Sequence, residues 1–318
     1  MKKFLSLFGT IIAMGLIVLI CLSAYKFVIN IEIKQNEVEN ELTKEIDNDP
    51  IFSLEEYPKV DASLATQPLT DAFIENFTGT LPSDKELDYT NTHPAYQRLI
   101  NGEVDLIVVT EPSEEELELA KNSDVDLEII PVVKEGFVFY VNENNPVKSL
   151  SLEDIQNIYT GDVKNWKEVG GRDEPIRAFQ RPENSGSQTG MYSLVMKNKK
   201  MMEAPKEDLV DTMFEVVNLV SNYDNGENAI GYSYYYYVAT MFKDIDRAIT
   251  DRIKLLSIDG VKPSDETIKD DTYPLQTAYY IVINKNEPEG SNTRKLVDAM
   301  LSTRGQSVAK EAGYVSVK

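Results

Sequence analysis

The chain has 318 residues, 42% of them hydrophobic and 27% charged, with a formal net charge of -21. That supports a sizeable core divided into two lobes or domains and excludes a disordered acidic tail. The same charge excludes nucleic acid and anionic membrane surfaces as partners, because scattered Lys and Arg offer no basic face to either.

The N-terminus opens with Met1-Lys2-Lys3, and Phe4 to Tyr25 then contains no charged residue. This run is long enough to span a bilayer, and lysines before it with an acidic body after it orient that body outward. Residues 1–29 are therefore expected to be a transmembrane anchor. A cleaved signal sequence is the alternative, disfavoured by the length of the run and by Leu22-Ser23-Ala24, a poor cleavage site. Cys21, the single cysteine, follows bulky Ile20 and reads as a lipid-facing apolar residue, so the body carries no disulfide. Residues 30–54 are polar, closed by Pro50, and read as a stem.

From about Glu55 the pattern alternates between strand and helix. "VDLIVV" (104–109), "LEIIPVV" (127–133), "GFVFYV" (136–141), "PIRAF" (175–179) and "AYYIVI" (278–283) are expected strands, and their alternation with helices predicts mostly parallel sheets. Ser113 with Glu116, and Ser151 with Asp154, predict capping boxes, the second helix stopping at Gly161.

Three further helix starts carry hydroxyls. Thr66 lies two residues before Pro68, Thr92 two before Pro94, and Ser185 or Ser187 opens the helix in "ENSGSQTGMYSLV". Such ends offer free N–H groups and a positive dipole end, worth about 0.3–1 kcal/mol toward an exposed anion. Capping alone explains any one of them. Two follow strand-like runs and the third adds Arg181, which makes a convergent anion pocket reasonable. A surface ion pair with Glu183 is the plainer reading of Arg181.

Other features take plain readings. His93, the only histidine, lacks partners for a zinc site, so no metal or cofactor is expected. Tyr232 and Tyr234 to Tyr237 read as core or interface aromatics. "GSQTG" matches neither a nucleophile elbow nor a P-loop.

The ordered pieces "YPKVDASLATQPL", "YQRLINGEVDLIVVTEPS", "IYTGDVKNWKEVGG", "RPENSGSQTGM", "AIGYSYYYY" and "GQSVAKEAGYVSV" span nearly all of the chain from about Tyr57. In them the sequence resembles the substrate-binding protein of phosphate ABC importers, as a membrane-anchored, Firmicute-like member. The resemblance implies an α/β, two-lobed type II periplasmic-binding-protein fold with a strand hinge, preceded by one N-terminal transmembrane helix. Lobe 1 is expected over 55–135 plus 280–318 and lobe 2 over 136–279. The crossings are expected near Val132 to Phe139 and Thr277 to Ile283.

The ligand contacts it implies fall on Thr66, the N–H of Gln67, Thr92 and Thr110 from the first lobe. Arg181, Ser185, Gly186 and Ser187 come from the second, with Glu183 orienting Arg181. Thr110 stands where the family has Asp or Ser, Glu111 where many members have Arg, and Leu64 replaces a nearby hydroxyl. An acidic acceptor at Thr110 would take the proton of monohydrogen phosphate, so its loss bears on discrimination from sulfate.

The implied function is capture of inorganic phosphate on the extracytoplasmic side and delivery to an ABC permease, by a monomer held in the cell membrane through a single span. A binding or sensor module of the same fold for another oxyanion or small ligand is the alternative. A hydrolase using Ser185 or Ser187 is the third reading, weakened by the absence of a nearby histidine in sequence.

Overall fold

The computed structural model describes residues 49–80, 87–222 and 226–317. The expected anchor at 1–29 and most of the expected stem lie outside the described residues. No helix among the described residues is long and apolar enough to cross a membrane.

The packed body starts earlier than Glu55. Ile51 and Phe52 donate their N–H groups to Phe77 O at 2.7 and 3.1 Å, and Phe52 is buried against the Tyr57 ring. Phe52, assigned to the stem, is thus part of the core, while Ile51 and Leu54 beside it stay exposed.

Ten strands are present among the described residues: β1 (Val60–Ala62), β2 (Leu106–Val109), β3 (Leu127–Asn142), β4 (Ser149–Leu150), β5 (Arg177–Ala178), β6 (Ala229–Tyr234), β7 (Ile253–Leu255), β8 (Ser257–Ile258), β9 (Gln276–Asn284) and β10 (Val315–Ser316). The principal sheet runs β1-β2-β9-β3-β6-β5, with β7 and β10 also paired to β3, while β4 and β8 form a separate ribbon.

The helices that position the site are α1 (Gln67–Thr78), α2 (Thr92–Ile100), α3 (Glu114–Asn122), α4 (Leu152–Thr160), α5 (Gly186–Gly190) and α6 (Met213–Ser221). Both expected capping boxes form. Ser113 and Glu116 close the start of α3, Ser151 and Asp154 that of α4, and Gly161 ends α4 in the left-handed conformation at φ 83°.

The runs "LEIIPVV" and "GFVFYV" are one strand. Pro131 has no N–H to give a neighbour, and the register of β3 on β9 shifts between Pro131 and Val133 without ending the strand. From Leu127 to Gly136 β3 pairs with β9, and from Phe137 onward with β6 and β7. β3 thereby leaves one half of the sheet and enters the other at Gly136–Phe137, within the expected first crossing. The return lies at the start of the second expected span, where Leu275 O accepts from Phe137 N at 2.9 Å just before β9 begins.

The expectation of mostly parallel sheets fails. Only β1/β2, β5/β6 and β4/β8 are parallel. β2/β9, β3/β9, β3/β6, β3/β7 and β3/β10 are antiparallel. The reason is the double crossing: β9 brings the chain back beside β3, so it must run the opposite way. β6, buried at every residue like β2, was not among the expected strands.

Glu135 sits at the crossing, 2% exposed. Its carboxyl accepts from Gly136 N at 2.8 Å and from Tyr236 N at 3.2 Å, so one side chain ties β3 to the turn that follows β6. Burial pushes this carboxyl up to about 8, with the backbone donors opposing. A raised folded-state value means that folding takes up a proton. The contribution is complete below about pH 4.5 and is lost progressively as pH rises to about 8. Between about pH 6 and pH 9, stability measured by urea unfolding should fall more steeply for the native chain than for Glu135→Gln. Parallel profiles would contradict a buried titrating carboxyl at the crossing.

Candidate functional site

A cleft of about 570 Å3 is lined by residues from both halves of the sheet, including Thr92 and Thr110 on one side and Arg181 and Ser187 on the other. Three helix starts open onto it.

The first begins as a single 3-10 turn, Leu64–Thr66, that runs into α1 with Ser63 extended before it at φ -77° and ψ 159°. Thr66 N and Gln67 N both donate to Ser63 O, at 2.9 and 3.1 Å. The amides without an acceptor among the described residues are therefore those of Leu64 and Ala65, which line the cleft. Thr66 is fully buried and does not line it; its hydroxyl donates to Val108 O. Gln67 lines the cleft, with its N–H already bonded. Sequence reading placed this start at Thr66 and Gln67 because Pro68 marks a first turn. The signal that would have moved it is Ser63, a residue type common before a first helical turn, which stands extended there.

The second start has Asn91, not Thr92, at the position before its first turn: Asn91 is extended, its side chain makes no capping hydrogen bond, and Thr92 is the first helical residue. Ala95 N donates to Asn91 O at 2.9 Å, which leaves Thr92 N and His93 N free of acceptors among the described residues. Asp61, fully buried in the middle of β1, fixes the preceding loop. Its carboxylate accepts from Thr90 N and Thr90 Oγ1, both at 2.8 Å, and from Arg98 Nη1 at 2.7 Å. Sequence reading missed Asp61, since a lone Asp in a strand carries no local signal of its distant partners.

The third start is the loop Arg181–Ser185 leading into α5. Asn184 adopts φ 64°, Ser185 caps by accepting from Gln188 N at 3.3 Å, and Gly186 N and Ser187 N have no acceptor among the described residues. Ser185 rather than Ser187 is the cap. Two tyrosines of β6 hold the loop from behind. Tyr234 donates to Gly186 O at 2.9 Å, while Tyr232 donates to Gln188 Oε1 and accepts from Arg181 N at 3.0 Å. Their rings are core, as expected, and their hydroxyls position the site.

Gly186 brings the two sides together. A Cβ on it would lie 2.5 Å from Thr110 Oγ1 and 2.8 Å from Thr92 Oγ1, so the backbone of the third start rests directly on the hydroxyls opposite. Asn184 donates to Glu115 of α3, and Ser193 to Glu111, across the same gap. Burial raises the Glu111 carboxyl above its ordinary value, with the Ser193 bond opposing.

Polar atoms are left over at this junction. Thr110 Oγ1, Ser187 Oγ and Arg181 Nε are buried and make no hydrogen bond of good geometry. The Tyr234 hydroxyl lies near Thr110 but donates to Gly186 O. Thr110 itself is held at the end of β2 by Tyr96, which donates to Thr110 O at 2.8 Å. Burial lowers the Arg181 pKa from its ordinary value by removing water from the guanidinium. Arg181 Nη2 donates to Asp211 O at 2.8 Å. No salt bridge joins Arg181 to Glu183, which is exposed at the rim; both the surface-pair reading and the orienting role given to Glu183 yield to the Asp211 carbonyl.

The arrangement lines one cleft with residues that carry unshared amides, two free hydroxyls and one desolvated cation. It suits a small anion with several acceptor oxygens. His93 lines the cleft, but its ring nitrogens face Glu116 Oε1 at 2.9 Å and Gln97 Nε2 at 3.1 Å, so it is not poised as a base on a serine. Among the described residues no group of His, Cys, Asp and Glu could hold a metal ion.

Comparison with known proteins fits this geometry. A family model for the PBP superfamily domain matches residues 56–302. The chain belongs to the PBP superfamily. Phosphate-binding protein PstS of Bacillus subtilis is 27% identical over 260 residues, covering 81% of this chain and 80% of that protein. Phosphate-binding protein PstS of Staphylococcus haemolyticus is 26% identical over 230 residues, covering 71% and 69%. The crystal structure of an ABC-type phosphate transport receptor from Vibrio cholerae superposes with a TM-score of 0.59 at 21% identity, covering 80% of this chain and 98% of that one. The fold is thus the two-lobed α/β architecture of this superfamily.

Replacing Gly186 by Ala places a methyl group against Thr92 and Thr110 and wedges the two sides apart. It should weaken binding of a tetrahedral oxyanion, read by calorimetry, by about tenfold or more, equivalent to about 1.4 kcal/mol. Thermal stability should change little. Unchanged affinity would show that binding does not need this contact.

Proposed function

We propose that the chain is an extracytoplasmic solute-binding protein that captures orthophosphate in the cleft and delivers it to an ABC permease. The observation that carries this reading is the convergence of unshared amides at three helix starts on buried, unpartnered Thr110 Oγ1, Ser187 Oγ and Arg181 Nε. The names of the relatives, phosphate-binding proteins and a phosphate transport receptor, supply the ligand and the transport context.

Binding is coupled to closure. Leu64, Ala65, Thr92 and Thr110 stand on one side of the crossing strands and Arg181, Gly186 and Ser187 on the other, so only the closed form completes the contacts and the ligand favours it. Hydrogen bonds to a charged group contribute about 1.5–3 kcal/mol each, and several of them, less desolvation and ordering, reach about -8 kcal/mol, a micromolar affinity. The partner switch of β3 at Gly136–Phe137 supports a lobe division next to the expected 135/136 boundary, and the start of β9 at Gln276 supports a return a few residues before the expected 279/280 boundary. No catalytic role falls on Ser185, whose hydroxyl caps α5, or on Ser187, which has no base beside it.

The uncharged run from Phe4 to Tyr25 supports tethering by a single span, with the binding body acting as a monomer outside the membrane. A second reading, another oxyanion or a sensor role, is favoured by Thr110. The proton of monohydrogen phosphate meets hydroxyls there, while the neighbouring Glu111 carboxyl bonds Ser193.

Calorimetric titration of the purified chain should give a dissociation constant on the order of micromolar for orthophosphate and weaker binding of sulfate. Arg181→Ala should lose about 2 kcal/mol, or about thirtyfold, as expected for removing a charged donor. Equal affinity for sulfate would support the second reading. No heat with either anion, or full affinity in Arg181→Ala, would overturn the site.

A further inference from the structure

The cleft is much larger than its deep end requires. Orthophosphate has five heavy atoms and needs the room of roughly two or three waters at about 30 Å3 each. The cleft holds about 570 Å3, within the range that takes organic ligands.

The extra space differs in chemistry from the deep end. Thr92, Thr110 and Ser187, which supply hydroxyls, are 6%, 2% and 2% exposed. Toward solvent the lining changes to Leu64, Pro94 and Met213, which are apolar, and to the exposed acidic residues Glu183 and Asp211. Neither carboxylate is joined by a salt bridge to a basic side chain among the described residues, and Arg181 is the only Lys or Arg that lines the cleft. Glu183, and Asp211, whose charge also acts on Arg181, stand beside the entrance and oppose a bare dianion. They complement a ligand whose far end is positive.

We propose that the cleft also takes phosphate monoesters, with preference for those carrying a short aliphatic arm that ends in an ammonium group. This rests on the anion reading of the deep end. A monoester keeps three terminal oxygens and its double negative charge, so the amides at the helix starts and Arg181 still find acceptors. The substituted oxygen faces the mouth. Leu64 and Met213 cover the methylenes of the arm, and Glu183 and Asp211 receive its cation.

Competition calorimetry on the full-length chain tests this with orthophosphate, glycerol 3-phosphate and O-phosphoethanolamine. O-phosphoethanolamine should bind within about tenfold of orthophosphate and at least about threefold tighter than glycerol 3-phosphate, which has a neutral arm. Glu183→Gln should narrow that preference. Met213→Trp, which fills the mouth, should weaken both monoesters by about tenfold or more while orthophosphate keeps its affinity; Met213→Phe serves the same purpose if the larger ring prevents folding.

Orthophosphate binding with no competition from either monoester at about hundredfold excess would overturn the proposal and leave the anion site standing. Equal affinities for the two monoesters would overturn the role of the carboxylates. Failure of all three compounds to bind would remove the anion reading itself.

Discussion

The first amides of a helix have no acceptor within it, and this protein places three such ends on one cleft. Buried polar groups are almost always paired, so the unpaired Thr110, Ser187 and Arg181 atoms beside those amides hold an unfavourable desolvation that a bound anion relieves. Much of the surrounding structure serves that placement. Asp61 pins the loop before α2, Tyr96 fixes Thr110, and Tyr232 and Tyr234 brace the loop before α5. Gly186 lets the third start lie against Thr92 and Thr110 opposite because it carries no Cβ.

A protein of net charge -21 holds an anion because the relevant field is local. Distant surface carboxylates are screened over roughly 8 Å at physiological ionic strength, whereas the amides and Arg181 act at contact distance in a desolvated space. The overall charge slows arrival more than it weakens the bound state. Arg181 illustrates the balance: burial disfavours its charge, so the guanidinium gains most when an anion is present.

Much of this was legible in the sequence, and the rest was hidden for physical reasons. Capping spacing located α3 and α4 to the residue because Ser113–Glu116 and Ser151–Asp154 are reciprocal pairs that act locally. The same logic shifted the other starts slightly. Asn91 in place of Thr92 precedes the first turn of α2, and a 3-10 turn after Ser63 moved the free amides from Gln67 to Leu64 and Ala65. Strand direction was not legible, because the return of β9 beside β3 depends on the double crossing, which no local pattern encodes. Partners distant in sequence were equally invisible: Asp61 with Arg98, Glu135 with Tyr236, and the Asp211 carbonyl on Arg181. Trp166, the single tryptophan of the sequence, is 1% exposed and bonded through its ring N–H to Asn228 O, away from the cleft lining.

Amide chemical shifts give the most direct view of the central claim. Titrating orthophosphate into isotope-labelled protein should move the amide protons of Leu64, Ala65, Thr92, His93, Gly186 and Ser187 downfield together, saturating with one affinity. Shifts confined to a single helix start, or to amides outside the cleft, would contradict the convergence on which the account rests.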